Sequence, residues 1–144
     1  MPTNERFMPL PPETLWEALA DPASYAEWVV GVQEVRAADD GWPAPPARLH
    51  HTTGIGPLAI RDHTESLEAR APQLLRLRSY VRPLGTATVT LELRPRDGGT
   101  VVLMSERPDG IYAPLGWNPL FRLLTKARNA EALRRLEQFA RARA

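Results

Sequence analysis

The last thirty residues, Leu115 to Ala144, limit what this chain can become more than any other stretch. From Asn118 onward there is no Gly, and the single Pro, Pro119, stands at the start, where a helix tolerates one. The rest is mostly Leu, Ala, Arg, Glu and Lys, all good helix formers. At a rise of ~1.5 Å per residue the segment makes a rod of roughly 35–40 Å. Such a rod is too long to fold alone and too polar to span a bilayer, so the remainder of the chain has to hold it.

Its apolar positions carry more information than its length. At ~100° per residue, Leu120, Leu123, Leu124 and Ala127 form one stripe, and Leu133, Leu136 and Ala140 form another on roughly the opposite side. Traced backwards, the second stripe becomes polar: Asn129, Thr125, Arg122 and Asn118. One reading is a bend near Asn129, or a first half packed on a second surface. The other is that the early polar groups look into a hollow, where a ligand or water meets them.

What precedes the rod reads as strands. Glu5 to Leu10 is a short first strand, stopped by Pro11-Pro12. Pro11-Pro12-Glu13 opens a helix with a Pro and an acid in its first turn, and Asp21 is positioned to cap a second short helix, Ala23 to Trp28. Strands follow over Val30 to Arg36, Arg48 to Thr53, Leu58 to Glu68, Leu74 to Arg82, Thr86 to Arg94 and Thr100 to Glu106. Leu75, Leu77, Ser79 and Val81 alternate with Arg76, Arg78, Tyr80 and Arg82, the period of a half-buried strand. Arg96-Asp97-Gly98-Gly99 is the strongest hairpin signal. Ile111 to Trp117 reads as a loop leading to the rod. A run of hairpins closed by one helix is an α+β arrangement, and a sheet curved around a single helix leaves space that commonly becomes a pocket.

At 144 residues the chain is one domain, 1–144. Eighteen Lys and Arg against seventeen Asp and Glu leave no strong nucleic-acid footprint. With no cysteine there is no disulfide, thiolate nucleophile or zinc-thiolate site. The opening MPTNERFMPL lacks the apolar run of a signal peptide, and no stretch is long enough for a membrane helix. The expectation is a cytoplasmic protein, monomer or homodimer, with no stable membrane insertion, no nucleic-acid partner, no cofactor and no bound metal.

The opening Pro11-Pro12-Glu13-Thr14-Leu15-Trp16-Glu17-Ala18-Leu19-Ala20-Asp21-Pro22, with Tyr25 and Trp28, resembles that of the polyketide cyclase/dehydrase and lipid-transfer superfamily, also called START-like, SRPBCC or Bet v 1-like. The likeness continues through Arg61-Asp62-His63-Thr64-Glu65 and Asp97-Gly98-Gly99-Thr100 to Asn129, Leu133 and Leu136. It implies a helix-grip fold: a curved, seven-stranded antiparallel sheet around the long C-terminal helix, with two short helices after strand 1. It also implies an apolar cavity for a lipid, polyketide or other small hydrophobic ligand. Trp28, Trp42, Tyr112 and Trp117 fall where that architecture places the cavity mouth.

Candidate site residues follow. His51 shares a strand face with Leu49, and its ordinary pKa near neutrality suits a pocket acid or base; adjacent His50 points the other way. Asp62 lies on the face of Leu58 and Ile60 and would need a cation, for which Arg122 on the early polar face of the rod is the candidate. Ser79 interrupts an inward apolar row and offers a hydroxyl. Ligand-binding candidates are therefore Trp28, His51, Asp62, Ser79, Tyr112, Trp117, Arg122 and Asn129. If a reaction is catalysed, the proton carrier comes from His51, Asp62 or Glu106. A binding protein for a small hydrophobic ligand is the preferred function. A cyclase, aromatase or dehydratase is the second reading. A protein-interaction module with a filled interior is the third. Ile111 to Leu124 reads as a lid over the pocket first, and second as a membrane-docking patch or dimer contact, because Leu120, Leu123 and Leu124 fall on the side away from Leu133 and Leu136.

Overall fold

The computed structural model of the chain describes residues 2–55, 57–81 and 85–143, and of Ile55, Leu58, Val81, Ile111 and Tyr112 the backbone alone. The chain runs β1 (Thr3–Met8), α1 (Pro12–Ala20), a 3-10 turn (Pro22–Ser24), α2 (Tyr25–Trp28), β2 (Val32–Ala38), β3 (Arg48–Ile55), β4 (Leu58–Arg70), β5 (Leu74–Val81), β6 (Gly85–Arg96), β7 (Gly99–Pro108), a 3-10 helix (Gly110–Trp117) and α3 (Pro119–Arg143). The seven strands form one antiparallel sheet in the order β1-β7-β6-β5-β4-β3-β2. It is curved and grips α3, the helix-grip α+β fold.

Local chemistry explains most boundaries. β1 stops at Met8 and not Leu10, because Leu10 N–H turns back to the Met8 carbonyl ahead of the two prolines. β2 starts at Val32 and not Val30, because Gly31 (φ 100°) turns the chain there, a conformation costly for other residues. Asp97 (φ 46°) and Gly98 (φ 80°) make the two-residue β6–β7 turn with both φ positive, as such hairpins require. Register shifts in β2 and between β4 and β5 are bulges, which bend and twist a sheet. The segment 111–117, expected as a loop, lies within the 3-10 helix.

The last carbonyls of α1, which helix geometry leaves unpaired, are met by side chains from the next elements. Ser24 Oγ donates to the Ala18 carbonyl (2.6 Å), and both Tyr25 OH (2.7 Å) and Trp42 Nε1 (3.3 Å) donate to that of Leu19. Trp42 thus plugs the end of the core and packs edge-on against Tyr25.

α3 is one uninterrupted helix, capped by Asn118 Oδ1, which accepts from the Phe121 N–H (3.0 Å). Its C-terminal half buries Leu133, Leu136 and Ala140 in the main core with Leu15, Leu19, Leu75, Leu91 and Leu93. Its N-terminal half buries two polar residues, Thr125 and Asn129, and leaves Leu120, Leu123 and Leu124 61–65% exposed. The expectation of a bend or a second packing surface therefore fails; the early polar face is the one turned inward.

Candidate functional site: a cavity between sheet and helix

The interior is solid under the late half of α3 and hollow under the early half, and the cross-strand rows show why. Leu75, Leu91 and Met104 face one another across β5, β6 and β7 and are buried. The next inward row is Leu77, Val89 and Glu106, and the one after it begins Ser79, Ala87. Side-chain bulk falls along the strands while the helix above continues, so a gap opens. Its volume is about 310 Å³, at the lower end of the ~300–1,000 Å³ range of ligand pockets.

The wall is mostly apolar. Tyr25, Trp28, Val29, Val30 and Val32 form one end, Leu49, Ile60, Leu77, Ala87, Val89 and Met104 the floor, and Ala132 part of the helix side. The α2–β2 turn is pinned over the β3 end of the cavity by a bond from Gly54 N–H to the Gly31 carbonyl (3.0 Å).

The polar groups of the wall largely satisfy one another. Arg128 donates from Nη2 to both oxygens of Glu106 at 2.5 Å, and Asn129 Nδ2 lies 3.3 Å from Glu106 Oε1. Glu106 is nearly covered, whereas the Arg128 side chain is 44% exposed, so this pair sits at the cavity edge. His51 Nε2 is 2.9 Å from Thr64 Oγ1, its diagonal neighbour on β4. Burial pushes the His51 imidazolium pKa down from 6.5 to about 4, against a smaller opposing pull from Asp62, so the ring is neutral at pH 7. Burial also raises the Tyr25 phenol, which stays protonated with its O–H on the Leu19 carbonyl.

Five candidates from the sequence meet at this wall: Trp28, His51, Ser79, Glu106 and Asn129. Three do not. Trp117 is 84% exposed, carried outward by the 3-10 helix that follows β7. Asp62 is buried opposite His51 in the β3–β4 register, yet it is not part of the wall; Oδ1 accepts from the His63 N–H (3.0 Å) and lies 3.7 Å from His63 Nδ1. Arg122 is exposed on α3 and makes no ion pair with Asp62, because the helix turns Thr125 and Asn129 inward at that level and not Arg122. The Tyr112 side chain lies outside the described residues. Leu120, Leu123 and Leu124 are not part of the wall, so they form no lid over it. Sequence reasoning missed Arg128. The available signal was Glu106, an acid in an apolar strand row, which calls for a cation on the facing helix. Among the described residues no three His, Asp or Glu side chains gather where they could hold a metal, and no helix is long and apolar enough to cross a membrane.

A family profile described as polyketide cyclase / dehydrase and lipid transport matches residues 3–141. No functionally curated protein matches the sequence. Solved structures share the fold at low identity. A Rhodobacter sphaeroides protein superposes with a TM-score of 0.76 at 22% identity, covering 97% of this chain and 91% of that one. Ara h 8.0201 does so with 0.75 at 15% identity, covering 97% and 96%. The di-domain ARO/CYC StfQ from the steffimycin biosynthetic pathway gives 0.73 at 14% identity, covering 98% of this chain and 50% of that one.

Proposed function

Because the chain belongs to the polyketide cyclase / dehydrase and lipid transport family, we propose that it binds a small, mainly apolar molecule in the cavity between sheet and helix and releases it unaltered. The observation that carries this reading is the hollow itself. About 310 Å³ is left unfilled beside a well-packed core, where protein interiors ordinarily close to crystal-like density. A guest that covers this mainly apolar wall takes its surface out of water, which favours binding.

The wall favours holding over chemistry. Catalysis by proton transfer wants a carrier whose pKa lies near the working pH. His51 is held neutral well below that range. Both oxygens of Glu106 are occupied by Arg128, and Asp62 stands outside the wall. A pure interaction module calls for a filled interior, which this one is not.

Native mass spectrometry of the purified protein tests the proposal. The expected spectrum contains a protein–small-molecule adduct that disappears on denaturation and reappears when an apolar compound is added back. Absence of any adduct, before or after addition of apolar compounds, would count against ligand binding. Turnover of a bound compound would move the protein to the enzyme reading.

A further inference from the structure

Two polar atoms of the cavity wall have no partner although they are buried. Trp28 and His51 are each 2% exposed, and both front the cavity. The Trp28 indole nitrogen and His51 Nδ1 form no hydrogen bond. Leaving a buried donor or acceptor unmet costs about as much as losing a hydrogen bond, so native structures seldom do it without cause. Here Glu106, Arg128 and Asn129 satisfy one another and Tyr25 bonds the Leu19 carbonyl, while these two atoms stay unmet in residues that line the cavity.

Each atom restricts what can meet it. An indole N–H only donates, so an acceptor oxygen or nitrogen must face it. The role of His51 Nδ1 depends on Nε2. If Nε2–H donates to Thr64, Nδ1 is a bare acceptor; if Nε2 accepts, Nδ1 carries the proton and donates. A hydroxyl serves either case, since it both donates and accepts.

Charge narrows the field further. The charged residues of the described wall are Glu106 and Arg128, and they neutralise each other. A carboxylate guest would find no unpaired cation there, and burying an unpaired charge is costly. Given that the cavity is a binding site, as proposed above, we infer that its ligand is a neutral, mainly apolar molecule. It carries a carbonyl or ether oxygen for Trp28 and a hydroxyl for His51. Fatty-acid carboxylates and plain hydrocarbons are the poorer guests.

The test compares probes of one shape and different polarity, titrated calorimetrically at pH 7: tetralin, 1-tetralone and 1-naphthoate. The quantity read is the ratio of 1-tetralone to tetralin affinity, in the wild type and in Trp28→Phe, which keeps a ring and removes the donor. The ratio is expected to fall about three- to tenfold in Trp28→Phe, the size of one net hydrogen bond. For His51→Leu the same fall is expected in the ratio of 1-naphthol to naphthalene. The wild type supplies a readout independent of the variants' folding: the Trp28 indole proton resonance should move downfield with 1-tetralone and not with tetralin. 1-Naphthoate should bind more weakly than 1-tetralone. If tetralin binds but the ratios and the indole resonance do not respond, water meets these atoms and the inference is overturned while the binding reading stands. Tight 1-naphthoate binding would overturn the neutral-guest assignment. If none of the probes binds, both readings fall together.

Discussion

The hollow can be tested by filling it from the protein side. Ala87 is on the cavity wall, in the β6 row whose neighbours are Ser79 on β5 and Pro108 on β7. Ala87→Leu adds three carbons to the floor. If they enter space that is now empty, each contributes up to ~0.8 kcal/mol by leaving water. Allowing for rotamer restriction, the ligand-free protein should gain about 1–2 kcal/mol. For a domain of this length that raises Tm by roughly 3–7 °C. The same side chain competes with the guest, so tetralin affinity should drop at least ~10-fold, the scale expected when about two methylenes of the guest can no longer be buried. Differential scanning calorimetry and a tetralin titration read both effects. The reasoning is refuted if Ala87→Leu lowers stability by the ~1–3 kcal/mol typical of overpacking and leaves tetralin binding unchanged.

Four further outcomes follow from the geometry. His51 has a folded pKa of about 4 against 6.5 when free, so between these values the unfolded chain takes up a proton that the folded one refuses. Stability should hold above pH 6.5 and fall below it, by about 2–3 kcal/mol at pH 4.5, and the difference from His51→Gln in urea titrations isolates this contribution from the carboxylates. Arg128→Met leaves the Glu106 carboxylate covered without its cation and should cost about 1–3 kcal/mol, most of which Arg128→Met with Glu106→Gln should restore in a double-mutant cycle. A Cβ on Gly99 would stand 2.5 Å from the Met8 carbonyl and 2.7 Å from the Phe7 ring, so Gly99→Ala should push β1 away and lower stability by about 1–3 kcal/mol in thermal melts. Leu120→Ser with Leu124→Ser, at positions more than 60% exposed, should change stability by less than ~0.5 kcal/mol and leave probe affinity intact, whereas a lid would lose affinity.

The sequence displayed most of the architecture because its local signals agreed with the final packing. Pro11-Pro12, Asp21, Asp97-Gly98 and Pro119 each act within a few residues, and the structure uses them as helix starts, caps and turns. The polar early face of α3 was also legible, and Asn129 and Thr125 are buried as one of its two readings required. What the sequence did not display was pairing across space. Parity placed Asp62 on the inner face correctly, but parity says nothing about how far a strand position lies from a helix. It therefore pairs Arg122 with an acid that Arg122 does not meet, while Arg128 holds Glu106. Trp117 misled for a related reason: an aromatic near a loop suits a pocket mouth, and only the path of the 3-10 helix shows that it points away. The orphaned Trp28 nitrogen and His51 Nδ1 were beyond reach, since an unmet atom is defined by everything around it.

The most direct test is where an apolar guest sits. Intermolecular NOEs between bound tetralin and methyl-labelled protein would locate it. The account predicts NOEs to Leu77, Val89 and Met104 on the cavity wall. NOEs confined to Leu120, Leu123 and Leu124 on the outer face of α3, or none at all, would contradict it.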